Sequence, residues 1–215
     1  MSIDTTTWLC GPPARHGQFQ RFPGRFIYNV RHTYPSLIGD NSLHMFSGGS
    51  DLGVTTDMRP ETGADIIAPF DAIPRPDASF DAVLADPPYA DHWQGQWHGD
   101  LPKPKHILRE AARLVRPGGL IAILHIIIIP AYAEFGVTRI ALHPVLTGPN
   151  NAIRVLNVFT AAVSAEDETQ YLPDSVLSRR LDEARAAVSA ERDTPRSRGF
   201  ADNIINWKAK EADSE

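Results

Sequence analysis

The chain of 215 residues contains one cysteine, Cys10. A lone thiol can close no intrachain disulfide and cannot build a sulfur-rich zinc site, so a disulfide scaffold is excluded, a reducing compartment fits, and no metal is expected. Long apolar runs are also missing. The most apolar stretch, Leu120 to Ile129, includes His125 and is about half the length of a membrane-spanning helix. It reads as a buried strand, and no membrane contact is expected. Met1 to Trp8 is polar and threonine-rich, without the basic start and apolar centre of a secretory signal, so the expected location is cytoplasmic. Excess positive charge, the usual footprint of a nucleic-acid-binding domain, is absent from the total: 21 Lys and Arg stand against 26 Asp and Glu.

What is present is a composition able to bury a core, with 42% hydrophobic residues and charge that is segregated rather than mixed. Between Thr5 and Gly39 lie Arg15, Arg21, Arg25 and Arg31 with no acid, whereas Ser164 to Glu215 holds eight basic and twelve acidic residues. The expected organisation is a basic N-terminal arm over residues 1–39, a central domain over 40–163 and a charged tail over 164–215. The arm suits phosphate contacts through arginine forks, with Arg15 and Arg21 as candidates. In the tail, Ser175 to Arg192 has Leu177, Leu181, Ala184 and Val188 on one helical face and Asp174 as N-cap, a face that could take a protein partner.

The central domain alternates short apolar runs with turns. Leu43 to Phe46, Val54 to Met58, Asp65 to Ala68, Phe80 to Ala85 and Leu120 to Ile129 read as strands, and the near-continuous apolar character of Phe80 to Ala85 is that of a strand covered on both faces. Pro104 to Arg116 has helical spacing and meets Pro117-Gly118-Gly119 as a stop. Val137 to Leu142 and Ala152 to Ala162 flank the turn signal Thr147-Gly148-Pro149-Asn150 and are expected to pair as a hairpin. Strands interleaved with helical segments predict a mostly parallel α/β sheet whose ligand lies beyond the carboxyl ends of the strands, where strand order reverses.

Asp86-Pro87-Pro88-Tyr89 at the end of the strongest strand carries the sharpest chemical signal. Two prolines forbid further ladder pairing and fix an extended turn, so a carboxylate, a proline carbonyl and an aromatic ring are held together at the sheet edge. A carboxylate and a carbonyl can accept both protons of an exocyclic amino group while the ring stacks on a planar base. Trp93 and Trp97, in the loop that follows, add surfaces for stacking on an extruded base.

With these residues the chain resembles the class I S-adenosylmethionine-dependent methyltransferases, in particular the Asp-Pro-Pro-Tyr amino-methyltransferases that modify adenine N6. Phe22-Pro23-Gly24-Arg25-Phe26 is similar to that family's upstream segment at the methionine end of the cofactor, which implicates Pro23 and Gly24. Phe46-Ser47-Gly48-Gly49-Ser50 resembles its glycine-rich motif, with His44 where an acid is usual and Ser50 on the second glycine. Asp57 sits where the family has its ribose-binding acid, and Asp71 substitutes for the acid near the adenine, whose usual place holds Pro69. The resemblance implies S-adenosylmethionine as cofactor, Asp86, Pro87, Pro88 and Tyr89 as catalytic residues, and nucleic acid, DNA before RNA, as partner. An RNA or protein amino acceptor and a non-catalytic binding or regulatory module remain open readings. The expected fold is a Rossmann-like, mostly parallel sheet with a C-terminal antiparallel hairpin. Phe46 and Asp57 are too close for a full connecting helix, so the first crossover is truncated or those strands pair differently.

Overall fold

A computed structural model describes residues 3–16, 20–89, 101–148 and 153–163, with backbone alone for 13–16, 20 and 21. In chain order the elements are β1 (Trp8–Leu9), β2 (Pro13–His16), β3 (Gln20–Pro23), α1 (Phe26–Thr33), β4 (Ser42–Met45), β5 (Val54–Asp57), β6 (Ile66–Ile67), β7 (Phe80–Ala85), α2 (Pro104–Leu114), β8 (Val115–His125), β9 (Val137–Leu146) and β10 (Arg154–Ala161). Among the described residues β2 and β3 form a ribbon, and the other eight strands form one sheet in the order β1-β9-β10-β8-β7-β4-β5-β6. Strands β4 to β8 are mutually parallel. β10 runs antiparallel to both β8 and β9. This is the Rossmann-like, mostly parallel sheet with a C-terminal hairpin, and chain order reverses between β4 and β7.

Both faces of the central strands are covered, which explains their unbroken apolar sequence. Val83, Ala85, Ile121 and Ile123 pack with Ile107, Leu108, Ala111 and Leu114 of α2. The alternate residues Ala82, Leu84, Ala122 and Leu124 pack on the other face with Phe22, Phe26, Ile27 and Val30 from the α1 region. Side chains alternate across a strand, so each apolar residue of β7 belongs to one of two cores.

The first crossover is indeed truncated. β4 pairs in parallel with β5, Leu43 opposite Val54 and Met45 opposite Thr56, and the link between them contains no helix. The β5–β6 and β6–β7 links also lack α-helices. Side-chain clamps hold them instead. Asp65 Oδ2 accepts hydrogen bonds from the Thr55 amide (2.8 Å) and hydroxyl (2.7 Å), and these bonds hold the Asp65 carboxyl below its ordinary range. Buried Glu110 of α2 accepts from the Ile73 amide (3.1 Å), while Arg113 donates to the carbonyls of Ile73 and Arg75 and to Asp77.

Three expectations are corrected. Residues of the N-terminal arm belong to the sheet and its cover: β1 pairs in parallel with β9, and Trp8, Phe22 and Phe26 are buried. Trp8 stacks on His143 with ring centroids 4.7 Å apart, and His143 bridges the Thr6 carbonyl and the Tyr34 hydroxyl. The second correction concerns Leu120 to Ile129. The strand starts at Val115, straight from the helix end, because Gly118 (φ +74°) accommodates a register shift opposite β7 and Gly119 lets the Asp81 carbonyl approach where a Cβ would collide. It ends at His125, where pairing with β10 stops at Val155, and Ile126, Ile127 and Ile128 are exposed. Asn157 then takes over the backbone, accepting from the Ile129 amide and donating to the Ile127 carbonyl. Thirdly, β9 extends beyond Leu142 to Leu146. Cys10 is buried, as its apolar character suggests, with burial pushing its thiol up and the Asn29 amide donating to its sulfur.

Candidate active site

The carboxyl ends of β4, β5, β6, β7 and β8 gather most of the sequence-derived candidates on one edge of the sheet. β4 delivers Phe46 to Ser50, β5 delivers Asp57, β6 leads to Asp71, and β7 leads into Asp86-Pro87-Pro88-Tyr89. Pro23 ends β3 and Gly24 follows it in the short link to α1. A Cβ on Gly24 would sit 2.7 Å from the Pro12 carbonyl oxygen, so that close approach requires glycine. Phe22, just before them, stacks on His44 of β4 with centroids 5.5 Å apart. Arg15 and Arg21 are backbone partners in register in the β2–β3 ribbon, which is not hydrogen-bonded into the main sheet. Trp93, Trp97 and the Ser175 to Arg192 helix lie outside the described residues.

The loop after β4 turns on left-handed residues. Gly48 and Gly49 have φ +54° and +81°, which glycine adopts without strain. Phe46 has φ +59°, a conformation that costs a side-chain-bearing residue about 1–2 kcal/mol. Its ring is buried and meets Phe70 at 5.4 Å, which offsets that strain by packing. His44, at the position where the family usually has an acid, is buried and hydrogen-bonds through Nδ1 to Ser50 Oγ (2.7 Å), tying the start of the loop to its end.

Phe46, Thr56, Asp57, Met58, Ala68 and Phe70 line a small hollow between the ends of β4, β5 and β6. Two aromatic rings and a thioether suit a planar heterocycle. The buried hydroxyls of Ser47 and Thr56 have no hydrogen-bond partner among the described residues, a cost that a polar ligand would relieve. Asp57 is arranged differently from a ribose-binding acid. Its Oδ2 accepts from the Gly48 amide (3.0 Å) and Arg59 Nη2 (3.3 Å), and its Oδ1 accepts from the Arg59 amide (3.0 Å) and Nε (3.1 Å). With Arg59 also buried, this carboxylate holds the glycine loop against the end of β5. Asp71 is exposed beside Phe70 and does not line the hollow.

At the other side of the strand reversal, Pro87 and Pro88 are buried and Asp86 and Tyr89 are partly exposed. The Tyr89 ring lies 5.4 Å from that of His125 at the end of β8, and the Arg154 guanidinium stands 5.3 Å over its centre. Burial and the Asp86 charge push the Tyr89 hydroxyl well above its ordinary value, with Arg154 opposing them, so the phenol stays neutral. Burial lowers His125 to about 4. The neutral imidazole accepts the Ile127 amide at Nδ1 (3.2 Å), which leaves its proton on Nε2.

Sequence reasoning missed Arg59, Phe70, Arg154 and the place of His125. Arg59 follows Asp57 by two residues, a spacing that permits a local clamp. His125 meets Tyr89 through the β7–β8 pairing, and Arg154 meets it only because β10 inserts next to β8, which no local pattern announces.

Residues 56–123 match the protein family described as a methyltransferase domain. No curated protein matches the chain in sequence. Solved structures that align with the chain include the Haloferax volcanii complex between the Trm112 methyltransferase activator and a methyltransferase, at 15% identity and TM-score 0.48 over 64% of this chain and 89% of that one. A SAM-dependent methyltransferase from Methanosarcina mazei aligns at 10% identity and TM-score 0.39 over 57% and 92%. The aminoglycoside resistance methyltransferase NpmB1 aligns at 13% identity and TM-score 0.33 over 70% and 100%. The family match spans β6 and β7, α2 and nearly all of β8, which includes strands that bound the candidate site.

Proposed function

We propose that this protein transfers a methyl group to an exocyclic amino nitrogen, with adenine N6 in DNA as the leading acceptor. The observation that carries this reading is the placement of Asp86-Pro87-Pro88-Tyr89 at the carboxyl end of β7, beside the reversal of strand order where Rossmann-like sheets bind ligands. S-adenosylmethionine, when bound, supplies an electrophilic methyl on a sulfonium. Phe46, Met58 and Phe70 would enclose its apolar part, and Ser47, Gly48 and Thr56 would offer polar contacts.

The chain's own residues then have two tasks. Pro87 and Pro88 fix the backbone so that Asp86 and a proline carbonyl present acceptors in constant geometry, and such positioning lowers a barrier by several kcal/mol, on the order of what aligned intramolecular reactions show. By accepting both N–H groups, they favour a pyramidal nitrogen whose lone pair is freed from the ring, and they stabilise the positive charge that develops on it. Tyr89, kept neutral, stacks on the base. A base within a duplex must first be flipped out.

A second reading, a methyltransferase-like binding module, is favoured by the commitment of all the Asp57 lone-pair directions to Gly48 and Arg59. Labelled S-adenosylmethionine incubated with separate pools of DNA, RNA and protein distinguishes the readings. Incorporation into DNA is expected, and Asp86→Ala should lower it by about 10²–10³-fold while cofactor affinity stays within twofold. Incorporation into RNA or protein alone would move the acceptor, and no incorporation into any pool would favour the binding module.

A further inference from the structure

The geometry points to Arg154, with His125, as an anion-recognition element of the acceptor site: the amine-bearing substrate also carries a phosphate or carboxylate, which this pair selects. The inference rests on the proposed acceptor role of Asp86 to Tyr89 and specifies what that site takes.

Three observations support it. Arg154 is the first residue of β10, and its neighbour Val155 pairs with His125 at the end of β8, so the sheet itself brings a guanidinium to the Asp86–Tyr89 turn. The guanidinium covers one face of Tyr89. Stacking fixes its plane while leaving its N–H groups at the edge for a planar oxyanion. Secondly, Arg154 is half-buried yet makes no ion pair among the described residues, whereas Arg59, Arg113 and Arg116 all do. A partly desolvated cation engaged in no ion pair gains most from an incoming anion. Thirdly, His125 is held in the tautomer that keeps a proton on Nε2, which adds a neutral donor to the cluster.

Asp86 and Arg154 therefore flank Tyr89 with opposite charges. An acceptor whose amine meets the carboxylate and whose anion meets the guanidinium would be oriented by both ends, with the ring between them. A neutral amine of the same ring system would lack one anchor.

The test measures binding to the protein saturated with S-adenosylhomocysteine, by calorimetry, of adenosine 5′-monophosphate against adenosine and of 4-aminobenzoate against aniline. The anionic member of at least one pair should bind tenfold or more tightly, and the pair that shows the preference identifies phosphate or carboxylate. Arg154→Gln should erase that preference without weakening the neutral member, and Arg154→Lys should retain part of it. Thermal unfolding of both variants checks that they fold. Equal affinity within both pairs, no binding of any of the four, or an equal loss for charged and neutral members in Arg154→Gln would overturn the inference and leave Arg154 as a packing partner of Tyr89. Direct titration with S-adenosylmethionine is unaffected by these outcomes; absence of cofactor binding there would count against the methyltransfer reading itself.

Discussion

The two sides of the strand reversal are built by different physics. On the β7–β8–β10 side the strands are six, eleven and eight residues long and mostly buried, and α2 covers one face. On the β4–β5–β6 side they are four, four and two residues long, their connections carry no α-helix, and charged clamps fix the links. Both sides share the apolar core, to which β4 and β6 contribute Leu43, Met45 and Ile66, but the β4–β5–β6 side adds hydrogen bonds and one buried ion pair where the other side has helix packing. A Rossmann-like sheet can do without crossover helices on one side provided that side chains supply the anchoring.

Four perturbations sharpen or break this contrast. The largest effect is expected for Arg59→Ala, which strands the Asp57 carboxylate in a buried setting and should cost about 3–5 kcal/mol. Chemical denaturation measures it, and hydrogen exchange should show the loss concentrated in amides 46–59. A loss spread evenly over β7 and β8 would show that the two halves are not separately anchored. Leu84→Ala, in the fully buried centre of β7, should cost about 2–5 kcal/mol and act on global unfolding. A cost below 1 kcal/mol would contradict a tightly packed β7–β8–β10 side.

The third perturbation is pH. His125 titrates near 4 in the folded chain against an ordinary 6.5, so the unfolded chain takes up the proton first. Its contribution is full above about 6.5 and is lost as pH falls towards 4, a change on the order of 1–3 kcal/mol. His125→Gln should flatten the stability profile in that window, and an unchanged slope would contradict the buried neutral imidazole. The smallest effect is expected for Asp65→Asn, which weakens the clamp on Thr55 and should cost about 1 kcal/mol, seen as a modest drop in the denaturation midpoint.

Much of this contrast was legible in the sequence, though unevenly. Phe80 to Ala85 is delimited correctly because a fully buried strand has a continuous apolar signal and ends at two prolines. The short spacing from Phe46 to Asp57 revealed the abbreviated crossover because a helix has a minimum length. Ile126 to Ile128 misled, since apolar character says nothing about whether a pairing partner is still present beyond His125. The β1–β9 pairing joins residues far apart in the chain, and four arginines without an acid disguised it as a free arm. Within the site, Asp86 to Tyr89 and the glycine loop were readable from local chemistry. Arg59 and Arg154 were not, because each acquires its role from a neighbour supplied by folding.

The central claim is that the clamped half still receives cofactor although Asp57 is engaged by Arg59. Calorimetric titration of the full chain with S-adenosylmethionine tests it most directly. Saturable binding of one cofactor per chain is expected, and no detectable heat up to millimolar cofactor would rule it out.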